Sequence, residues 1–250
     1  MIKKQLKIAD KNGHDSISGA LFLSHQLMAT LTAMKWSLQM LNQGDFGPIS
    51  QEQKSIIEKM AQKNDLLISL ANRVVHTVKL ENEQYCCNQG PVTMENLVNA
   101  VLEYCKEAAT KKGVILEFKK PATKIPSLTV DEEMIKIALQ NLIDNAIKYS
   151  PQGGVVQVGL VSDGKNVQLT IQDAGIGVPQ KQKNKLFHKF FRADNAIASS
   201  ATGSGLGLFI SQNIIQAHGG KIWFDSIEHE GSTFYFSLPV QAAKETGSVE

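Results

Sequence analysis

Residues 17–41 carry apolar or small side chains at Ile17, Ala20, Ser24, Leu27, Leu31, Met34, Leu38 and Leu41, in alternating steps of three and four. That spacing draws a heptad seam along one face of a long helix. The stretch GDFGPIS at 44–50 interrupts it with two glycines and a proline. Ser50, followed three residues later by Gln53, has the form of a capping box opening a second helix. There Ile56, Met60, Leu67, Leu70 and Val74 repeat the rhythm, with Lys63 in the one polar gap. Two such helices and a short loop predict an antiparallel hairpin. One hairpin cannot hide both seams, so a homodimer closing a four-helix bundle is expected.

The rhythm ends near Glu83, and from Val92 onward helical and strand periods alternate. Helices are predicted over 94–112, 131–149 and near 205–217. Strands are predicted over 114–118, 154–161, 167–172, 221–225 and 232–238. Together they imply a mixed sheet with helices on one face, an α+β sandwich. The expected division is a lead-in at 1–15, the hairpin at 16–84, a linker at 85–91, the sandwich at 92–240 and a small, polar tail at 241–250.

Composition narrows the partners. Of 250 residues, 42% are hydrophobic and 20% charged, with a formal net charge of +2. That balance is too small to make nucleic acid or an anionic membrane the main partner. No run reaches the roughly 18 apolar residues of a membrane span, and the basic N-terminus lacks a signal-peptide core. A cytoplasmic chain is therefore expected. Cys86, Cys87 and Cys105 have no C-x-x-C spacing and read as free thiols. His14, His76, His188 and His229 form no metal-ligand spacing, and His218 before Gly219 reads as a helix end.

Three segments of the sandwich carry chemistry. In NLIDNAIKYSP (141–151), Asn141, Asn145 and Lys148 fall at i, i+4 and i+7 on one helix face. Two carboxamides and an ammonium suit a phosphate with hydrated Mg²⁺, although the same stripe also reads as a solvated helix face. In DAGIGVP (173–179), Asp173 can accept a bond from an exocyclic amine, and Gly175 and Gly177 let backbone approach a flat ligand. In GSGLGL (203–208), small residues before a helix leave amides aimed at phosphate. This turn lacks the G-K-[ST] of a P-loop, and Leu208 stands where a dinucleotide fingerprint needs its last glycine.

In order and spacing the three segments resemble the N, G1 and G2 boxes of the histidine kinase ATP-binding domain. LFHKFFRAD (186–194) resembles the intervening F box, and HGGKIWFDS with GSTFYFSLP resembles the family's last strands. The resemblance implies a Bergerat-type fold that binds ATP with Mg²⁺. It assigns Asn145 to the metal, and Asn141, Lys148 and Tyr149 to the phosphate and ribose side. Asp173 would bind the adenine amine, with Gly175 and Gly177 giving access. Phe187, Phe190 and Phe191 would anchor a lid, and Arg192 would stand near the γ-phosphate. Gly203, Ser204, Gly205, Leu206, Gly207 and Leu208 would shape its phosphate-facing end. The stretch NAIASSAT between them is expected to move without nucleotide.

The same resemblance makes His25 the phosphoacceptor. Ser24 is a seam position, so His25 lies on the flank of the bundle. Ser24-His25-Gln26-Leu27-Met28-Ala29-Thr30-Leu31 resembles the family's S-H-E-L-R-T-P-L, with departures at four positions. Gln26 can accept a bond from His25 and select its tautomer, but brings no charge to the growing imidazolium. Ala29 cannot help position a hydrolytic water, so phosphatase activity toward a partner is expected to be weak. Thr30 restores the backbone donor that proline removes. What the resemblance implies is a homodimer that passes phosphate from ATP to His25, then to an aspartate of a response-regulator receiver. The alternative is a nucleotide-responsive scaffold that transfers nothing; a Bergerat ATPase of the chaperone or gyrase sort stands further off. Few residues precede Ile17, so an upstream sensor partner, or a longer chain, is expected to supply the signal.

Overall fold

A computed structural model describes residues 26–80, 88–199 and 203–240 of the chain. Ser24 and His25, the seam positions Ile17 and Ala20, the thiols Cys86 and Cys87, and the tail from 241 lie outside those residues. The chain forms two compact units, Met1–Glu83 and Gln84–Glu250.

In the first unit residues 26–43 are helical (α1), and a turn with Gly44 at φ 82 and Gly47 at φ 110 leads to α2, Gln51–Leu80. The capping box is reciprocal: the Ser50 amide donates to Gln53 Oε1 at 2.8 Å, and the Gln53 amide to Ser50 Oγ at 3.2 Å. Helix α1 runs unbroken through Thr30, whose hydroxyl donates to the Gln26 carbonyl at 2.9 Å. Leu31 and Leu38 are buried inside the unit, whereas Leu27, Met34 and Leu41 are exposed. On α2 the seam positions Ile56, Met60 and Leu67 are exposed as well. The hairpin thus covers only part of its apolar surface. Asn64 is buried among its described residues and donates to the Leu31 carbonyl at 2.9 Å.

In the second unit β1 (Gly90–Val92) pairs antiparallel with β3 (Leu128–Val130). Gly90 and Pro91, expected in the linker, therefore belong to a strand. A five-stranded sheet has the order β2-β4-β5-β7-β6, built from β2 (Ile115–Lys119), β4 (Val155–Ser162), β5 (Asn166–Asp173), β6 (Lys221–Ile227) and β7 (Gly231–Pro239). Strands β2 and β4 are parallel; the other pairings are antiparallel. Strand β5 alternates buried Val167, Leu169 and Ile171 with more exposed Gln168, Thr170 and Gln172. One face thus meets the helices and the other meets water.

Three helices form the second layer: α3 (Met94–Lys112), α4 (Glu132–Tyr149) and α6 (Gly207–Ala217). Helix α4 begins at Asp131, whose carboxylate accepts the Met134 amide at 3.2 Å. Glu132 and Glu133 stand in its first turn and Lys148 in its last, as its dipole favours. Ile135, Leu139, Leu142 and Ile143 are fully buried against its neighbours. Helix α3 ends at Gly113, with φ 71, where the Val114 amide returns to the Ala109 carbonyl at 2.9 Å. The short helix α5 (Asp194–Ser199) lies between the sheet's third strand and α6. Asn195–Ser199 of NAIASSAT belong to this helix, and the rest of that stretch lies outside the described residues. Among the described residues no helix is long and apolar enough to cross a membrane.

Candidate nucleotide site

The helical period of α4 carries Asn141 and Lys148 along one stripe with half-buried Asn145 between them. Asn141 is only 9% exposed, and its Nδ2 has no hydrogen-bond partner in the protein. A buried amide donor left unmet costs on the order of 1–3 kcal/mol. Such an unmet donor is a place for a ligand oxygen. Lys148 sits with its ammonium 5.0 Å from the centre of the Tyr149 ring. Its carbonyl accepts from Nζ of Lys112, the last residue of α3. Burial pushes the Lys112 ammonium below its ordinary value. Lys112 was not singled out by sequence, because nothing in its own neighbourhood signals a partner 36 residues away.

The loop after β5 carries Asp173, which is 8% exposed. Burial raises its carboxyl to about 6, against the pull of the Gly175 and Ser232 amides. The Gly175 amide donates to Asp173 Oδ1 at 2.8 Å. A Cβ on Gly175 would fall 2.6 Å from the Tyr149 carbonyl oxygen, so only glycine lets the loop lie against α4. Gly177 turns with φ 62. The loop is fastened to the β6–β7 turn, since the Val178 amide donates to Ser226 Oγ at 2.9 Å and the His229 amide to the Ile176 carbonyl at 2.9 Å.

The segment between the loop and α6 brings back a cation. Arg192 donates from Nη2 to the Ala196 carbonyl at 2.9 Å and bonds the Tyr149 hydroxyl. A Cβ on Gly203 would lie 2.9 Å from Lys148 Nζ and 3.5 Å from Arg192 Nε. Lys148 and Arg192, 44 residues apart in the chain, therefore meet at this one glycine. Gly205, at φ 69, packs its α-carbon against the backbone of Phe190 and Phe191, where a Cβ would stand 2.6 to 2.8 Å away. Ser204 Oγ accepts the Leu206 amide at 3.3 Å. Helix α6 starts at Gly207, with Leu208 half-buried, and Leu206 gives it no side-chain cap.

The phenylalanines divide. Phe187 packs edge-on against Phe224, ring centres 5.8 Å apart. Phe191 is half-buried. Phe190 departs from the expected anchor: its ring is 71% exposed, on a backbone held at φ 61. The backbone of Phe190 supports Gly205; its side chain faces solvent. Sequence periodicity could not separate these rings, because the turn at 186–190 has no repeating face.

Residues 130–242 match the family described as Histidine kinase-, DNA gyrase B-, and HSP90-like ATPase. The chain is 31% identical to the sensor histidine kinase WalK of Bacillus subtilis (strain 168) over 229 residues, 89% of this chain and 36% of WalK. It superimposes on full-length ShkA, a crystal structure in complex with AMPPNP, with a TM-score of 0.72 and 26% identity, covering 90% of this chain and 46% of that one. The mycobacterial sensor histidine kinase MprB is 31% identical, with a TM-score of 0.54, and the match covers 60% of this chain and 97% of MprB. This chain belongs to the sensor histidine kinases. It spans about a third of WalK and under half of ShkA. Of the histidine kinase ATPase domain it has the α+β sandwich. Its hairpin precedes the domain along the chain, and Gln26 is the first described residue of that hairpin.

The donor set fits a nucleotide with its metal. The unmet Asn141 amide, the glycine-lined loop beside Asp173 and the Lys148–Arg192 pair offer a donor, a carboxylate and two cations. Asn145 offers one neutral oxygen, which suits a Mg²⁺ that keeps waters and phosphate oxygens as its other ligands. Among the described residues no cluster of three His, Cys, Asp or Glu could hold a metal by itself.

Proposed function

We propose that the chain is the phosphotransfer core of a two-component sensor: it binds Mg·ATP, transfers the γ-phosphoryl to His25, and passes it to an aspartate on a response-regulator receiver. The observation that carries this reading is the meeting of Lys148 and Arg192 at Gly203, beside a helix whose buried Asn141 amide lacks a partner. The adenine amine is held by the Asp173 carboxylate. Asn141, Lys148 and Tyr149 take the phosphate and ribose side, and Asn145 takes the metal. Mg²⁺ supplies charge neutralisation across the phosphates when bound. Lys148 and Arg192 neutralise charge on the leaving and transferring groups, so catalysis is mainly positioning and electrostatics.

The acceptor is Nε2 of His25. Its lone pair forms the N–P bond as the bond from the γ-phosphorus to the β,γ-bridging oxygen breaks, and ADP leaves with that oxygen. Gln26 accepts the Nδ1 proton's bond and keeps Nε2 unprotonated. The exposed seam of Met34, Ile56, Met60 and Leu67 is covered by a second copy of the chain, giving a homodimeric four-helix bundle. That ShkA crystallised with AMPPNP supports the choice of nucleotide.

The test is incubation with γ-labelled ATP and Mg²⁺ beside His25→Ala. Acid-labile, base-stable label on the parent that vanishes in the variant is the expected result. Nucleotide binding without label would make the chain a nucleotide-responsive dimer instead.

A further inference from the structure

Three consecutive residues of α5 make polar contacts with four other residues. The Asp194 amide donates to Gln182 Oε1 at 3.0 Å, and Gln182 Nε2 donates to Asp194 Oδ2 at 2.6 Å. Asn195 Nδ2 donates to the Gly177 carbonyl at 3.0 Å and reaches the Ile176 carbonyl at 3.3 Å. The Ala196 carbonyl accepts Arg192 Nη2 at 2.9 Å. One peptide unit therefore separates a clamp on the Asp173 loop from a clamp on the phosphate-side cation.

Burial does little to place this helix. It has six residues, too few to be stable alone, and of these only Ala196 is buried. Ile197, its one large apolar side chain, is 53% exposed. Burying one methyl is worth about 0.8 kcal/mol, no more than a single hydrogen bond contributes net. The position of α5 is thus set by its polar contacts. Among the described residues Asn195 joins it to the Asp173 loop, through the Gly177 and Ile176 carbonyls. The Ile176 carbonyl is also bonded by the His229 amide, so the loop stays fastened to the sheet without Asn195. The Gln182–Asp194 pair holds the helix to the turn that follows the loop, and Asn195 holds it to the loop's own carbonyls.

We propose that Asn195 is a positioning residue that fixes Arg192 relative to the Asp173 loop and so gives the site its preference for a triphosphate over a diphosphate. This rests on the nucleotide reading above. Asn195 acts through α5 and Arg192; it touches neither adenine nor phosphate. A purely structural role would lower affinity for both nucleotides alike, because both need the loop.

The experiment measures equilibrium binding of Mg·ADP and of a non-hydrolysable Mg·ATP analogue to the parent, Asn195→Ala, Arg192→Ala and the double variant. Asn195→Ala is expected to leave ADP affinity within about twofold and to weaken the ATP analogue roughly tenfold. In the Arg192→Ala background, Asn195→Ala is expected to add nothing. Equal loss of both nucleotides, or additive losses in the double variant, overturns the inference. Should Asn195→Ala fold poorly, Asn195→Leu, which keeps the branched shape and removes the donor without adding a charge, carries the same measurement. A parent that binds nucleotide without labelling His25 loses only the phosphotransfer proposal, and the affinity ratio still decides for or against Asn195. A parent that binds neither nucleotide overturns both.

Discussion

The imidazole of His218 accepts the backbone amide of Asp131 at Nε2, 3.1 Å away, while its Nδ1 donates to the Ile214 carbonyl at 2.8 Å. Both bonds together require a neutral ring with its proton on Nδ1. The residue is 2% exposed. It ties the end of α6 to the first turn of α4, and so holds together the two helices that frame the candidate cleft. His218→Ala is expected to cost about 2–3 kcal/mol, from two lost bonds, an unmet Asp131 amide and a cavity. Chemical denaturation of the ATP-binding unit measures it; a loss below about 0.5 kcal/mol would show that water replaces the ring.

Asp173 makes stability depend on pH in a definite direction. Burial raises its carboxyl from 3.8 to about 6, so the folded chain keeps a proton that the unfolded chain releases near 4. Stability from this group is present below pH 4 and is lost as pH rises through about 6, by about 3 kcal/mol at most. Asp173→Asn should flatten that slope when denaturation is compared at pH 4.5 and 7.5. The proposed adenine contact uses the ionised form, so nucleotide affinity should fall on acidification near pH 6 in the parent. An affinity unchanged down to pH 5 would remove Asp173 from the base contact.

Gly205 has no room for a side chain. It sits at φ 69, with Phe190 and Phe191 backbone atoms inside van der Waals distance of any Cβ. Gly205→Ala combines left-handed strain of about 1–2 kcal/mol with that clash. Its effect should be local: nucleotide affinity drops at least roughly tenfold, while the far-ultraviolet circular dichroism of the sandwich persists. Parent-like affinity would show that this turn stands clear of the phosphates.

Gln26→Glu tests the chemistry proposed at His25. A carboxylate accepting the Nδ1 proton's bond is favoured over a carboxamide by about 1–2 kcal/mol, which corresponds to a rate about 5–30-fold higher. The initial rate of acid-labile labelling should rise by that factor. An unchanged or lower rate would mean that Gln26 does not face the ring nitrogen.

Where a period repeats, the sequence alone was enough. The turns of α3 and α4 and the alternation of β5 and β7 appear within a residue or two of their predicted ends. The Ser50–Gln53 box was visible because its two partners are three residues apart. What escaped was short or distant. Strands β1 and β3 have three residues each, too few to show an alternation. Helix α5 has six residues and one large apolar side chain, Ile197, too little to draw an apolar stripe. Asn64 reads as a polar interruption until its bond to Leu31, 33 residues away, is known. At the candidate site the three motifs gave Asn141, Asp173 and the glycines directly. The clamps by Lys112, Gln182 and Asn195 join segments 12 to 36 residues apart, and no local pattern encodes them.

Asp173, the last residue of β5, lies directly across from Ser232 in β7. Everything from Ala174 to Gly231 is thus a single excursion between two neighbouring strands. It includes the Asp173 loop, α5, the Gly203–Leu208 turn, α6 and β6. The ends of that excursion are pinned by a ladder from Asn166–Pro239 to Asp173–Ser232. For a flexible insertion, doubling the number of residues adds only about 0.6 kcal/mol of closure entropy. Loops within that excursion can therefore change length while the ladder holds, so the segments that face the nucleotide are thermodynamically separable from the strands that carry them.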